Sequence, residues 1–514
     1  MGEPRGETVD PTVARRALAQ RLRAAGAVLC ERPLPEPDPD PARDAAVVLD
    51  LLVRDLHTDL TPARVWLFYV ALASCLPTTE DLLAVLRGFE LSAPSEVGAW
   101  LLNTCLSAAR SGAPTRPLRV VTGGVVVDVD HSSRHELHTG IQQVVRHTVP
   151  LWDRDHDVAL VAWAPGCVAH RELGEIERER VLRWPDRRAY GRVPQARETA
   201  ELPLVVPWRG TLILAEVPPE AASARLAALA QYSGNRVTAI GYDCIPVVSA
   251  DLVPVAEPNR FCRYLSVIKH SHRVAGISVS ATTEFSGFAA ALPAQGLAGP
   301  AVSECPLPAE GMVAATAAPP APLAPERELP TVLSVGSFEP RKNHLALLFA
   351  AEYLWRSGLA FRLRLIGGSG WGRELPDKVR RLQAQGYPLD VEARVDGARL
   401  AEAYRDARFT VFPSLHEGYG LPVAESLAFG TPVITSDYGS TREIGERGGT
   451  VLIDPRDDVA LVDAMRTLLT RDDRLAALRA EIADRPSRSW EAYADEVWTC
   501  LVGAGAGTDG VESR

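Results

Sequence analysis

Two glutamates separated by eight positions are the residues whose type and spacing most clearly suggest chemistry. Glu417 and Glu425 lie in HEGYGLPVAESLAFGTP, residues 416–432, where Pro422 suits the first turn of a helix. Eight helical residues span about 12 Å, so the two carboxylates cannot share one proton or one metal ion. They could accept hydrogen bonds from hydroxyls at two ends of one ligand, and the helix N-terminus between them suits a phosphate. The segment predicts a site for two sugars joined through a diphosphate. An ordinary capped helix would explain Glu425 alone but not the whole segment.

A pair of cations precedes another predicted helix. Arg341 and Lys342 lie in SVGSFEPRKNH, residues 334–344, directly after a predicted strand, and Gly336 permits the turn. Alone they would be an ordinary surface pair. Because the carboxyl ends of parallel strands face one cleft, however, they could bind phosphate oxygens beside Glu417. We predict a diphosphate clamp.

Three further segments are less decisive. The glycines of LIGGSGW, residues 365–371, allow close approach of a ligand or simply a turn. Asp243 ends a predicted strand and could contact an acceptor hydroxyl or cap a turn. Asp128 and Asp130 suggest a metal site, but neighbouring strand positions point to opposite faces, so we predict no metal.

The elements that must position these residues fall into three parts. Helical spacing throughout 1–115 predicts an all-α module. Alternating strands and helices predict two doubly wound α/β domains, 116–325 and 326–485, that face a cleft. The Pro- and Ala-rich stretch 314–330 is the predicted linker between them. A final helix at 486–502 crosses back to the first α/β domain, and a disordered tail at 503–514 follows.

Three local expectations concern the first α/β domain. Its sheet is expected to be parallel. The arginine-rich stretch 171–201 shows no clear period and is predicted to be a long irregular excursion. Residues 275–279 are predicted to form a strand.

Composition and charge narrow the function classes. The chain has 514 residues, of which 46% are hydrophobic, which excludes a disordered or collagen-like chain. A formal net charge of -10 argues against a nucleic-acid partner, because phosphate binding needs a basic surface. The eight cysteines form no C-x-x-C pair, which favours buried thiols in a reducing compartment.

We expect a cytoplasmic location. The N-terminus MGEPRGETVDP lacks the apolar run of a secretory signal, and the longest apolar run, Val65–Leu76, is too short to span a bilayer. The run therefore predicts a buried helix. Arginines of the first predicted helix could contact an anionic membrane surface or form a solvated face: Arg15, Arg16, Arg21 and Arg23. The module could also contact a protein partner.

The motifs resemble those of family-4 retaining glycosyltransferases of the GT-B type. The similarity rests on EPRKN at 339–343, on LIGGSGW, and on the two glutamates flanking GYGLP. Other segments resemble a bacterial subgroup that includes mannosyl- and rhamnosyltransferases: TGIQQVVR at 139–146, YDCIP at 242–246 and ISVSATTEF at 277–285. The resemblance implies two Rossmann-like domains around a cleft. It also implies retaining transfer of a hexose or deoxyhexose from a UDP-, GDP- or dTDP-sugar, without cofactor or obligatory metal.

The resemblance also implies roles for single residues. Glu417 would contact the donor sugar and Glu425 the ribose, while Arg341 and Lys342 would neutralise the leaving diphosphate. The expected catalytic residues are four: Glu417, Lys342, Arg341 and Asp243. Other expected donor-binding positions are Gly140, Gly336, Ser337, Gly368, Gly418, Tyr419, Gly420 and Leu421. Ser337 stands where many members carry arginine, and Tyr242 where many carry histidine, so no histidine base is assigned.

Two other functions stay open. A GT-B-like sugar-nucleotide epimerase would need acid and base groups around the sugar and no acceptor pocket; EPRKN together with Glu417 disfavours it. A non-catalytic sugar-nucleotide binding protein would rely on the helical module, and the intact Lys342 and Glu425 argue against it. For a transferase, the acceptor could be a glycan, a lipid-linked sugar or a small molecule.

Overall fold

The computed structural model contains the helical region and the two α/β domains predicted from the sequence. It describes residues 10–93, 96–98, 100–101, 112–136, 139–184, 191, 196–308, 329–368, 370, 374–393 and 395–503. Most of the predicted linker and of the predicted tail lie outside the described residues. Among the described residues, no helix is both long and apolar enough to cross a membrane.

Capping side chains start the helices of the N-terminal region. Described here are α1 (Pro11–Leu29), α2 (Pro41–Thr58), α3 (Pro62–Ala73) and α4 (Thr79–Leu91). The side chains of the residues before them accept backbone N–H groups: Asp10, Asp40, Thr61 and Thr78. Proline then occupies the first position of α1, α2 and α3, where its missing N–H costs nothing. The fifth helix predicted at 95–109 lies mostly outside the described residues.

The helical region is built into the first α/β domain. The apolar run Val65–Leu76 is buried, and one continuous core joins it to strands of the first sheet. The side-chain amide of Gln20 donates to the carbonyl of Leu118 (2.9 Å) and accepts its N–H (2.7 Å). This pairing satisfies backbone groups at the edge of the sheet, as a further strand would.

Two arginines expected at a possible membrane face are instead engaged inside the protein. Arg21 is 2% exposed and donates to the carbonyl oxygens of Ala71, Pro114 and Arg116, each at 2.8 Å. Arg23 donates to the carboxylate of Asp44. That part of the membrane-contact interpretation is wrong, because both guanidinium groups are used to join segments of the chain.

The first α/β domain contains a nine-stranded sheet. The strands are β1 (Leu118–Thr122), β2 (Val125–Asp128), β3 (Val158–Trp163), β4 (His170–Glu172), β5 (Leu204–Trp208), β6 (Thr211–Leu214), β7 (Arg236–Gly241), β8 (Arg273–Gly276) and β9 (Ala301–Glu304). Their order is β1-β5-β4-β3-β2-β6-β7-β8-β9. Strand β4 is antiparallel to both of its neighbours, and the other described pairs are parallel. The sheet is therefore mixed, not wholly parallel as predicted.

The described part of the stretch 171–201 is more regular than predicted. It contains the end of β4 and the helices α7 (Glu175–Leu182) and α8 (Ala196–Ala200). Arg171 and Glu177 are both buried and form two hydrogen bonds of 2.6 Å. Because paired charges stand at buried positions that are usually apolar, the sequence shows no helical or strand periodicity here. The strand predicted at 275–279 ends at Gly276, because Ser278 caps the next helix by accepting the N–H of Ala281.

Helices cover the sheet of this domain. The other described helices are α5 (Asp130–Arg134), α6 (Gly140–Asp155), α9 (Ser223–Tyr232), α10 (Ile245–Val248), α11 (Glu257–Ile268) and α12 (Val279–Ala291). The final helix of the chain, α20 (Trp490–Val502), also packs here: Trp152 Nε1 donates to the carbonyl of Ala494 at 3.0 Å. The predicted return of the C-terminal helix to the first α/β domain is thus present.

The second α/β domain has a six-stranded sheet whose described pairs are all parallel. Its strands are β10 (Thr331–Val335), β11 (Arg362–Ile366), β12 (Leu389–Glu392), β13 (Phe409–Phe412), β14 (Val433–Ser436) and β15 (Thr450–Ile453). The order β12-β11-β10-β13-β14-β15 is that of a doubly wound domain. The covering helices are α13 (His344–Arg356), α14 (Glu374–Ala384), α15 (Gly397–Asp406), α16 (Leu421–Ala428), α17 (Gly439–Gly445), α18 (Asp458–Thr470) and α19 (Asp472–Ala483).

The two α/β domains meet along their facing edges. One apolar cluster contains Val127 and Ile240 of the first domain together with Tyr419, Val423 and Leu427 of the second. Two Rossmann-like domains facing one another, with an N-terminal helical region, confirm the predicted fold class.

Candidate active site

The switch point of the second sheet brings the two strongest sequence motifs together. Strands β10 and β13 are neighbours, and the chain leaves them in opposite directions along the sheet. The loop after β10 carries Arg341 and Lys342, and the loop after β13 carries Glu417. A crevice at the carboxyl ends of such strands is where doubly wound domains bind ligands. Sequence motifs 75 positions apart therefore form one site.

Arg341 and Lys342 both bind the carboxylate of Glu417. Arg341 Nη1 lies 2.6 Å from Oε2 of Glu417, and Lys342 Nζ lies 2.6 Å from Oε1. Arg341 also donates to the carbonyl of His416 (3.0 Å) and to Glu339 (3.1 Å). Glu417 is 8% exposed. The cations are thus fixed in place before any ligand arrives.

The electrostatics of this cluster follow from burial and pairing. Burial alone would raise the pKa of Glu417, but Arg341 and Lys342 outweigh it and hold that pKa to about 2. Burial works against the charged form of Arg341, yet Glu417 and Glu339 raise its pKa above the usual value. For Lys342 burial outweighs Glu417, so its pKa is lowered. An added anion would favour the charged form of both cations.

Two glycines shape the loop after Glu417. A Cβ on Gly418 would lie 2.7 Å from the carbonyl oxygen of Tyr242 and 2.8 Å from Oδ2 of Asp243, so only glycine fits between the two domains. Gly420 precedes α16 with φ of 103°, a left-handed conformation that favours glycine. The loop thereby brings the backbone of 418–421 to the interdomain face.

Glu425 is buried on α16, the helix that follows the loop of Glu417. It is 5% exposed, and Tyr404 donates a hydrogen bond to its Oε2 at 2.8 Å. Burial raises the pKa of Glu425 to about 7, although the hydrogen bond from Tyr404 works in the opposite direction. Its protonation therefore changes near neutral pH.

The other positions of the second domain predicted to bind donor lie around this cluster. Gly336 precedes Ser337, whose hydroxyl donates to Glu339 at 2.6 Å. The N–H of Phe338 donates to the carbonyl of Gly368 at 3.0 Å, so the glycine-rich segment packs against the loop that carries Arg341. Ser369 and Trp371 lie outside the described residues. The hydroxyl of Tyr419 donates to the carbonyl oxygens of Leu307 (2.9 Å) and Pro308 (3.1 Å), which directs this side chain into the interdomain contact.

The first α/β domain contributes Gly140 and Asp243. A Cβ on Gly140 would lie 3.2 Å from Cδ1 of Leu421, so the start of α6 faces the start of α16 across the cleft. Asp243 Oδ1 accepts the N–H of Ile245 (3.1 Å), which is the turn-capping role. Burial raises the pKa of Asp243, partly offset by Arg341. Asp243 therefore both caps its turn and faces the loop of Glu417.

The carboxylates of Asp128 and Asp130 form hydrogen bonds and an ion pair with other residues of the first α/β domain. Asp128 Oδ2 accepts from Trp163 Nε1 (3.0 Å) and lies 3.2 Å from Nε2 of His170. Asp130 accepts the backbone N–H of Trp163 (2.8 Å) and pairs with Arg134. Within the described part of the chain, no group of three or more His, Cys, Asp or Glu side chains is arranged to hold a metal ion.

Glu216, which follows β6, was not predicted as a site residue. Its carboxylate accepts the N–H groups of His131 (2.7 Å) and Ser132 (2.9 Å), beside the loop after β2. Burial raises the pKa of Glu216 to about 8. A single glutamate after a predicted strand is too common to mark it in the sequence.

Two contacts of His416 were also not predicted. Its ring nitrogens contact Ser249 (2.8 Å) and Glu284 (2.7 Å), both in the first α/β domain. His416 precedes Glu417, and Glu284 lies in ISVSATTEF, so both were inside recognised motifs. Neither motif indicates that the two side chains meet.

The comparisons agree with this geometry. Residues 320–485 match the family described as "Glycosyl transferases group 1". The second α/β domain is a group 1 glycosyltransferase domain. The serotype-specific mannosyltransferase WbdA of Escherichia coli is 35% identical over 125 residues, which is 24% of this chain and 15% of the relative. The D-inositol 3-phosphate glycosyltransferase of Thermomonospora curvata is 34% identical over 192 residues, 35% of this chain and 44% of the relative. The chain thus spans less than half the length of either curated relative.

A solved structure was also matched. Sucrose-phosphate synthase from Thermosynechococcus elongatus aligns with a TM-score of 0.49 and 17% identity, over 73% of this chain and 97% of that one. In the glycosyltransferase domain the Arg341–Lys342–Glu417 cluster lies at the switch point, and Asp243 and Gly140 of the first α/β domain face it.

Proposed function

We propose that the chain transfers a hexose or deoxyhexose from a nucleoside diphosphate sugar to an acceptor hydroxyl, with retention at the anomeric carbon. The observation that carries the proposal is the fixed Arg341–Lys342–Glu417 cluster at the switch point of the glycosyltransferase domain. Two preorganised cations beside a carboxylate suit a ligand that is a diphosphate at one end and a polyol at the other. The match to a mannosyltransferase supports a hexose as the transferred group.

The chemistry follows from the leaving group. When the bond to the anomeric carbon breaks, negative charge develops on the β-phosphate, and the guanidinium of Arg341 and the ammonium of Lys342 stabilise it. The positive dipole end of α16, at Leu421, adds to this field. Glu417 accepts hydrogen bonds from sugar hydroxyls, and Glu425 accepts them from the ribose.

The acceptor enters from the first α/β domain. Asp243 faces the loop of Glu417, which supports a role for it in contacting the acceptor hydroxyl. Closure of the two domains orients that hydroxyl and excludes water. The acceptor is a glycan, a lipid-linked sugar or a small molecule. The resemblance to family 4 supports attack from the face on which the nucleotide leaves, hence retention.

No metal is required in this proposal, because Arg341 and Lys342 already supply positive charge at the diphosphate. Transfer in excess EDTA should stay within about twofold of the untreated rate. Loss of transfer on chelation, restored by Mg²⁺ or Mn²⁺, would contradict metal independence while leaving the transfer reaction in place.

A donor screen tests the reaction itself. UDP-, GDP- and dTDP-sugars are incubated with the full chain and candidate acceptors, and mass spectrometry follows release of the nucleoside diphosphate. The expected result is one preferred donor, with release abolished in Glu417→Gln. An isomeric nucleotide sugar formed without acceptor would instead identify an epimerase. Nucleotide binding without turnover of any donor would favour a binding protein.

A further inference from the structure

A chain of contacts across the cleft ends on the residue next to Glu417. His416 is 3% exposed and belongs to the glycosyltransferase domain, yet both of its ring nitrogens contact the other domain. Nε2 lies 2.7 Å from Oε1 of Glu284 on α12, and Nδ1 lies 2.8 Å from the hydroxyl of Ser249 after α10. The ring is therefore hydrogen-bonded at both nitrogens to side chains of the first α/β domain.

Glu284 links this histidine to the turn that carries Asp243. Its second oxygen, Oε2, accepts the backbone N–H of Cys244 at 2.6 Å. The same carboxylate thus holds the Asp243–Cys244 turn on one side and His416 on the other. A movement that separates the domains must break both contacts of the His416 ring.

The backbone of His416 is held by the catalytic cluster. Its carbonyl oxygen accepts from Nη1 of Arg341 (3.0 Å), the same nitrogen that contacts Glu417. Gly418, two residues further along the chain, also contacts the first α/β domain, since the hydroxyl of Ser278 donates to its carbonyl oxygen at 2.7 Å. The ring of His416 is therefore bound to the first α/β domain, whereas its backbone carbonyl is bound to the glycosyltransferase domain.

We propose that His416 is a positioning residue that couples domain closure to the orientation of Glu417 and Arg341. When the ring is docked on Glu284 and Ser249, the 416–418 loop is held in the arrangement that aligns the two catalytic side chains. When the domains open, the loop is released. This inference rests on the proposed transfer reaction for its effect on rate, but the coupling of the loop to the ring does not depend on turnover.

The test compares His416→Ala with Glu443→Gln in the full chain. Glu443 is a matched control, because it also crosses the cleft, accepting the N–H groups of Val279 (2.9 Å) and Ser280 (2.7 Å), but it is not joined to the ring of His416. His416→Ala should lower kcat about 10- to 100-fold, while the Kd for the nucleoside alone changes less than about threefold. Glu443→Gln should change kcat by less than about threefold. His416→Gln, which can still donate to Glu284, should recover part of the rate.

Hydrogen exchange gives a readout that needs no turnover. Amides of residues 414–420 should exchange at least about tenfold faster in His416→Ala than in the wild type, and at the wild-type rate in Glu443→Gln. Unchanged exchange would overturn the inference, whether or not the wild type transfers sugar. Wild-type kcat in a folded His416→Ala protein would overturn it too and leave the transfer reaction standing. A wild type that turns over no donor would instead contradict the proposed function.

Discussion

Lys342 and Glu417 are 75 positions apart, and their side chains lie 2.6 Å from each other at the switch point of the second sheet. Arg341 binds the other oxygen of the same carboxylate. The glutamate is therefore both a candidate ligand for the donor sugar and the counter-charge that holds two half-buried cations in place. Substitutions in this cluster should affect stability and binding together.

Removing the carboxylate of Glu417 should separate these two effects. In Glu417→Ala, transfer is lost and the half-buried Arg341 and Lys342 remain without their counter-ion, which costs up to about 3 kcal/mol, the value for a fully buried pair. The melting temperature of the unliganded protein should fall. Nucleoside diphosphate supplies a replacement anion, so it should raise the melting temperature more in the variant than in the wild type. Equal shifts in a thermal-shift assay would show that the diphosphate does not reach the two cations.

Arg341→Ala and Lys342→Ala should weaken binding of the diphosphate selectively. A hydrogen bond to a charged group contributes about 1.5–3 kcal/mol, so each variant should lose about 10- to 100-fold in affinity for nucleoside diphosphate. Affinity for the nucleoside alone should change less than about twofold. Isothermal titration measures both, with the exposed Arg356→Ala as a control that should match the wild type. Parallel losses for both ligands would place the cations away from the phosphates.

Glu425 should make nucleotide binding depend on pH near neutrality. Its pKa is raised to about 7 by burial, so it is protonated below that pH and ionised above it. Ribose hydroxyls donate more effectively to the ionised form, so affinity should rise about 3- to 10-fold from pH 6 to pH 8. Glu425→Gln should retain only the dependence that comes from the phosphate groups. Since Tyr404 donates to the carboxylate, Tyr404→Phe should move the transition to higher pH. A transition at the same pH in that variant would contradict this assignment.

Arg21 should be essential to the attachment of the helical region. Arg21→Ala leaves the carbonyl oxygens of Ala71, Pro114 and Arg116 without a donor, and each such loss costs about 1–3 kcal/mol when buried. We expect a clear fall in the melting temperature and earlier urea unfolding. The exposed Arg16→Ala should stay within about 0.5 kcal/mol of the wild type. Equal behaviour of the two variants would show that the helical region contributes little to the stability of the first α/β domain.

A good part of the glycosyltransferase domain could be predicted from the sequence. Strands β10, β13 and β15 are short apolar runs between turn residues, a pattern that leaves few alternatives to a strand. The cations and Glu417 were predicted to face one cleft, since doubly wound sheets place the ends of their strands together. In the first α/β domain the same reasoning missed β1, β4, β5 and β9. In the three-residue strand β4, the charged Arg171, which pairs with Glu177, hides any apolar pattern.

The sequence by itself determined the residue types of the site and the two sheets that carry them, because local spacing encodes strands, helices and turns. Only the tertiary structure decided which side chains meet: that Glu417 binds both cations, that Tyr404 holds Glu425, that Glu284 reaches His416, and that Arg21 is buried. Such contacts join segments far apart in the chain and depend on how two sheets and their helices pack. The spacing of apolar and polar residues does not reveal these contacts, because it is the same whether a polar side chain is hydrated or paired with a buried carboxylate.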